Sequence, residues 1–426
     1  MPVLPIQALV AFVALGSMLV ASPCRAAGPW ITDTGGADMG MAGAGRASLA
    51  LDAASLAANP ATLGKLEAAS ATVAVTLLDL EYDFRGSTGS PVHATNQEGI
   101  TTVPAAYAVG REGPLAFGLG AYSYFGLSFD SGDQWGGERV VQRAGVATFN
   151  VGPAVAWTVN ERFTVGASVA AQWARPELRV AVANDALFYG PPAGLPDGQL
   201  TLSGDACAAA GQLGVLFEPR PGLRAGLSWT APVDHSVPLD LEERDVHPVL
   251  ASLLPADGTT ELEFTVPQQL LLGVSHGSSD DTLVSYGLSW QDWSALGEAQ
   301  QRQPGQSTAI FPRGLRDTWG ASVGVRHMMR DRWAVSSGID YGSSPAPANG
   351  VPAYFPVAEQ WKIAAGVERA INEDVRLRGA VSVILQGDAD VVQVTHPLPL
   401  PGIPALTGRY EDTRVYVVAL AADFRL

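Results

Sequence analysis

The sequence predicts an all-β protein: a 14-stranded antiparallel transmembrane β-barrel with a small N-terminal helical hatch inside. Three observations predict it. Runs with period-two alternation recur from about residue 68 to the C-terminus. Their connections alternate strictly, long then short. An apolar leader of export type precedes them.

Composition sets the bounds. Hydrophobic residues make up 47% and charged residues 16% of the 426, against about 25% charged in soluble domains. With 47 Gly and 30 Pro, the chain suits many strands and turns. The formal net charge of −16 argues against nucleic acid as a partner, because phosphate recognition needs basic patches.

Residues 1–26 read as a secretory signal peptide. "LVAFVALGSMLVA" (9–21) has the length of an apolar signal core, and Cys24-Arg25-Ala26 puts small residues at the cleavage positions. No Lys or Arg precedes the core. A lipoprotein signal at Cys24 is the rival reading, and Pro23 fits it poorly. A membrane anchor needs about 20 apolar residues, and this core is shorter. Cleavage removes Arg25 and Cys24, leaving Cys207 alone, so the mature chain has no internal disulfide to form.

Residues 27–67 form the predicted hatch. They are rich in Gly and Ala and nearly uncharged, and include "SLALDAASLAANPATLGKL" (48–66). The Gly-rich part is a poor free helix. Residues 47–58 predict one short helix, which Pro60 ends because the residue before a proline is pushed out of the α region. Disordered linkers are polar, and this segment is not. It is apolar yet too short to span a membrane, so its expected place is inside the barrel as a plug.

Residues 68–426 are the predicted barrel. Six tight connections hold turn formers or charges between apolar runs: 110–114, 159–163, 218–223, 276–282, 328–333 and 371–375. Seven long ones lie between: 85–99, 127–145, 179–204, 232–261, 294–314, 343–360 and 387–407. Short turns at one end and long loops at the other are how outer-membrane barrels are built. In 282–293, Val284, Tyr286, Leu288 and Trp290 alternate with Ser285, Gly287, Ser289 and Gln291. In 374–386, Val375, Leu377, Val381, Val383 and Leu385 share one face, with Ile384 as an exception. Trp333 and Tyr341 sit at strand ends, where interfacial aromatic girdles belong. In the last strand, Tyr416, Val418, Leu420, Ala422, Phe424 and Leu426 face one way. That strand has to pair with the first, because lipid tolerates no open edge.

The chain resembles the FadL/TodX family of outer-membrane transporters of long-chain fatty acids and aromatic hydrocarbons. Ala27-Gly28, the Gly-rich run 36–47 and "LDAASLAANPATL" (51–63) carry the resemblance at the start. "YFGLSF" (124–129) and segments 265–296, 338–348 and 356–382 carry it downstream, in order. It covers essentially the whole mature chain. The resemblance implies passive uptake of hydrophobic molecules from outside, a movement of the hatch, and lateral release where the third strand is kinked. Asn59, Pro60 and Ala61 match the hatch motif, and Gly126 matches the kink, where a glycine leaves room in a strand. Arg179 lies near a position that holds a ligand carboxylate. The implied protein is a monomer in the bacterial outer membrane, among lipid and lipopolysaccharide, with no cofactor.

Other classes fit the sequence less well. A hydrolase needs a nucleophile and a positioned base, and none of the six histidines has such a partner in sequence. A general porin conflicts with a plug. A plugged porin or a structural or adhesive barrel is the alternative reading. The acidic stretches 240–245 and 387–390 read as solvated loops. Lys362, Glu368, Arg376 and Arg378 face the lumen and do not name a ligand.

Overall fold

A computed structural model describes residues 30–66, 68–186, 195–252, 254, 259–279, 281–311, 314–329, 332–393 and 402–426. The signal peptide expected at 1–26 lies outside the described residues.

Fourteen antiparallel strands close a ring. They are β1 (Ser70–Ser87), β2 (Thr101–Glu112), β3 (Leu115–Tyr122), β4 (Arg143–Thr158), β5 (Phe163–Val182), β6 (Ala206–Arg220) and β7 (Leu223–Thr230). The second half runs β8 (Gln269–Ser279), β9 (Thr282–Gln291), β10 (Thr318–Met328), β11 (Trp333–Gly342), β12 (Gln360–Ala370), β13 (Val375–Gln386) and β14 (Leu406–Arg425). Each pairs with the next, and β14 pairs with β1 from Ser70↔Arg425 to Ser87↔Thr407. Closure leaves no sheet edge for lipid to meet.

The alternation read from the sequence faces as expected. Tyr286, Leu288, Val381, Val418 and Leu420 are exposed on the outer face, while Ser275, Ser285 and Gln212 are buried within. Ile384 points inward and lines an interior cavity, which accounts for its break in the pattern. Aromatic rings meet across strands at the outer surface: Trp290 opposes Trp319, and Tyr341 opposes Trp361.

The long connections are more ordered than their composition suggests. Extended segments at Pro91–Thr95, Gly198–Ser203, Val233–Arg244 and Thr260–Val266 continue the sheet beyond the ring. Val233–Arg244 and Thr260–Val266 form a hairpin through Val233↔Val266. Polar loop composition hid these strands because their pairing partners are distant in sequence.

The N-terminal segment departs from the expected single helix over 47–58. It forms three 3-10 turns, Met39–Met41, Ala53–Ala57 and Pro60–Lys65. Pro60 begins the last turn instead of only ending its predecessor. Its missing N–H costs nothing at the first helical position. Asp52 caps the middle turn, its carboxylate accepting from Ser55 N.

Glycines on the inner wall explain how so little space holds this segment. Gly166 pairs with Gly214, Gly226 with Gly273, and Gly324 with Gly338. A Cβ at Gly166 would lie 2.7 Å from Ala61 Cα, and one at Gly324 would lie 2.6 Å from Met41 Cβ. The segment's backbone therefore rests directly on the wall.

Gly324→Val should loosen the N-terminal segment at a cost of about 1–3 kcal/mol, as overpacking does. Gly110→Val should not, because nothing lies within 4 Å of a Cβ there. Protease cleavage within 30–66 of the folded, heat-modifiable barrel distinguishes the two. Equal protection of both variants would refute the close seating.

Candidate functional site

The sheet has one break in the third strand. β3 ends at Tyr122 opposite Asn150, and pairing with β4 resumes at Gly126 opposite Ala147. Three residues, Ser123 to Phe125, stand against two on β4, so the chain bulges. The bulge bends toward the interior. Ile31 N donates to Tyr124 O at 2.9 Å, and Trp30 bridges to Phe125. Asn150 Nδ2 donates to Tyr122 O and Thr148 Oγ1 to Phe125 O. Side chains of β4 and the backbone of the N-terminal segment thus replace the lost ladder bonds.

The break shortens the β2–β3 ladder. β2 pairs with β3 only from Ala106↔Ala121 to Glu112↔Leu115. No described strand pairs with residues 101–105 on that side, and this stretch contains Pro104, which has no N–H to donate. Gly126, singled out in the sequence, opens the resumed piece Gly126–Asp130. The bend itself falls on the three residues before it.

Two cavities of opposite character flank the bulge. One, of about 140 Å³, is walled by Phe125, Leu127, Leu202, Phe264, Phe311 and Phe355. It is almost wholly apolar. The other, of about 110 Å³, lies deeper and includes Trp30, Arg46, Gln269, Trp293, Asp340 and Lys362. Phe125 and Trp293 stand between them, ring centroids 6.1 Å apart. A smaller void of about 20 Å³ adjoins the deeper one through Trp30, Arg46 and Gln269.

Asn59, Pro60 and Ala61 are buried and sit against β5 and β6. Asn59 Oδ1 accepts from Ala61 N at 2.9 Å, while its Nδ2 donates to Ala47 O at 2.7 Å and to Val215 O at 3.2 Å. One side chain thus caps a turn, ties the segment to itself and fastens it to the wall. The sequence reported a helix stop at Pro60 but gave no sign of the cap or of Val215.

The lumen charges find partners the sequence did not suggest. Arg378 is held between Asp52 and Asp423, and Lys362 pairs with Asp33. Asp33 and Asp52 belong to the N-terminal segment, so these pairs bind it to β12 and β13. Arg326 meets Glu368 in a bidentate pair at 2.7 and 2.8 Å.

Arg179 lies in β5 and lines none of these three cavities. Its guanidinium is 3.4 Å from Glu177. Arg143 opposes it across the strands and gathers Glu98 at 2.5 Å, Glu177 at 3.5 Å and Asp130 at 3.6 Å.

His235 was one of six unassigned histidines. It is buried in the hairpin, stacked on Phe264 at 5.2 Å, with Nε2 3.0 Å from Gln172 Oε1. Gln172 Nε2 donates to Tyr124 Oη and Asn150 Oδ1, each at 2.9 Å. This chain of bonds joins an outer hairpin to the bulge. Its members lie far apart in sequence, so no motif announces it. Burial lowers the His235 pKa to about 4.

Comparison with known proteins places the architecture. The family model described as outer membrane protein transport protein (OMPP1/FadL/TodX) matches residues 17–426. A long-chain fatty acid transport protein of Escherichia coli O6:H1 is 22% identical over 393 residues, 85% of this chain and 88% of the relative. Outer membrane protein P1 of Haemophilus influenzae is 22% identical over 324 residues, 66% and 69% of the two chains. Among solved structures, a Pseudomonas aeruginosa FadL homologue superposes with a TM-score of 0.81 at 17% identity, covering 94% of this chain and all of that one. The Ralstonia pickettii toluene transporter TbuX gives 0.65 at 19%, covering 93% and 100%.

Arg378→Ala should destabilise the protein by about 3–5 kcal/mol, because it leaves the buried Asp52 and the part-buried Asp423 without their cation. Adding Asp52→Asn and Asp423→Asn should recover most of that loss. Urea unfolding in detergent measures both, and an unchanged midpoint for the single variant would refute the pairing.

His235 gives a pH dependence with a definite sign. Its folded pKa lies below the unfolded value near 6.5, so its contribution is complete above 6.5. It is lost as pH falls toward about 4. Proteolysis of the 233–266 hairpin should therefore accelerate over that window, and His235→Asn should flatten the profile. A profile identical in both proteins would rule His235 out as the cause.

Proposed function

The chain belongs to the OMPP1/FadL/TodX family of outer membrane protein transport proteins, and from that premise we propose a route for hydrophobic molecules through its wall. A molecule enters the apolar cavity beneath the outer loops. It passes the aromatic residues to the interior, and leaves sideways between β2 and β3.

One observation carries this reading: the inward bulge at Ser123–Phe125, above which the β2–β3 ladder, formed from Ala106↔Ala121 to Glu112↔Leu115, does not continue. A barrel in lipid has every reason to close its ladder. Here the ladder stops, and three carbonyls of the bulge, of Tyr122, Tyr124 and Phe125, accept bonds from β4 side chains and from Ile31 N. That arrangement supports a lateral exit at the gap.

The physical need is plain. A long-chain molecule gains about 0.8 kcal/mol for each CH₂ it buries, so an apolar cavity holds it well. Onward movement then needs a state that binds it less strongly, since equal affinity in all states moves nothing. The N-terminal segment is the natural moving part. Trp30 stacks on Tyr124 at 5.2 Å and meets Phe125 edge-on at 6.0 Å. A shift of Trp30 changes both the bulge and the cavity wall. Asn59, Pro60 and Ala61 would serve as the segment's fixed hinge on the wall.

Deleting Tyr124 brings the bulge to two residues against two and lets the β3 ladder continue. Uptake of a radiolabelled fatty acid or toluene by cells expressing this variant should fall to near background. The purified barrel should still bind the ligand. Wild-type uptake by the deletion variant would remove the lateral route.

A further inference from the structure

We propose that Trp293 sets how long an apolar chain the outer, apolar cavity holds. Its indole is the fixed floor of that cavity. The proposal rests on the transport reading and adds to it the residue that selects ligands by length.

The apolar and the deeper cavity share no lining residue among those described. Trp293 lines the deeper one. Its ring meets two rings that wall the apolar one, Phe125 at 6.1 Å and Phe355 at 6.0 Å between centroids. Phe311 stands edge-on to Phe355 at 4.8 Å and extends the aromatic layer. At this point a single indole separates the two chambers.

The indole is held still. Trp293 is 4% exposed, and its Nε1 donates to Gln291 Oε1 at 2.8 Å. It opens the short helix Trp293–Leu296, just after β9. Asp292 caps that helix by accepting from Ala295 N at 3.3 Å, and Gln268 Nε2 donates to the other carboxylate oxygen at 2.8 Å. A buried tryptophan whose N–H is met and whose backbone is capped has little freedom to turn. Phe125 is placed differently. It belongs to the bulge and touches Trp30 of the N-terminal segment. Of the two rings that divide the cavities, one is fastened to the wall and the other rests on the part proposed to move.

This arrangement limits length. Each CH₂ buried in the apolar cavity multiplies affinity by about four. The gain stops where the chain meets the indole, because a close-packed interior does not admit another carbon past a fixed ring. On the far side lie Arg46, Asp340 and Lys362, which offer an apolar chain less than the outer cavity does. A shift of the N-terminal segment would move Phe125 and leave Trp293 in place, so the length limit belongs to the resting state. Truncating Trp293 turns the volume of the indole into apolar space between Phe125 and Phe355, and such engineered apolar space takes up apolar ligands.

The test measures binding of saturated methyl esters, from methyl octanoate to methyl stearate, by native mass spectrometry of the full protein released from detergent. The neutral head group keeps charge out of the comparison. Wild type should gain about fourfold for each added CH₂ and then level off. Trp293→Ala should bind the shortest esters as wild type does and keep gaining for about two or three further carbons, reaching about 15- to 60-fold tighter binding of the longest. Trp293→Phe keeps a smaller ring and should move the break by about one carbon; it decides if Trp293→Ala does not fold. Binding of the shortest esters certifies a formed cavity in each variant. A break at the wild-type length in the folded variants would overturn the role of Trp293 and leave the transport reading intact. A wild-type profile with no break would do the same. Wild type binding no ester would overturn both.

Discussion

A bilayer offers the polypeptide backbone no hydrogen bonds, and the rest of this structure follows from that constraint. Each strand has to be paired on both sides, so fourteen strands close on themselves and β14 returns to β1. The constraint also makes any departure informative. The β2–β3 ladder stops at Ala106↔Ala121, just before the bulge in β3. Asn150, Thr148 and Ile31 donate to the carbonyls of Tyr122, Phe125 and Tyr124 there.

The N-terminal segment is held by two kinds of contact with different consequences. Glycines on the wall let its backbone approach to van der Waals distance, which fixes its position by shape. Ion pairs from Asp33 and Asp52 to Lys362 and Arg378 fix its register. Buried pairs add little net stability, since desolvation offsets most of the attraction. They do penalise misplacement heavily, because each wrong position strands a charge. Shape and charge together give the segment one well-defined resting place.

The interior is divided by chemistry. Phe125, Trp30 and Trp293 separate an apolar chamber from one with charged and amide groups. The His235–Gln172–Tyr124 chain ties the outer hairpin to the same bulge that Trp30 packs against. Outer loops, bulge and N-terminal segment therefore meet at one place, and a change at any of them reaches the others through direct contact.

The sequence by itself determined the barrel. Period-two alternation and strictly alternating loop lengths are local properties, and lipid demands closure, so strand number and outward faces were legible without coordinates. The stop at Pro60 was legible too, because a proline acts on its immediate neighbours, but the new turn that it opens under the Asn59 cap was not. Other features were decided only by the tertiary structure. Asp52 and Asp33, the partners of Arg378 and Lys362 on the N-terminal segment, lie more than 300 residues away along the chain. The strands hidden in the loops are set by pairing, not by composition. The expected helix over 47–58 gave way to 3-10 turns because the wall leaves that backbone no freedom to choose. Arg46 looked like one charge in a Gly-Ala run. Only the fold shows that Arg46 lines the interior cavities with its Nε 3.7 Å from Asp38, because a side chain's surroundings are set by packing and not by local sequence.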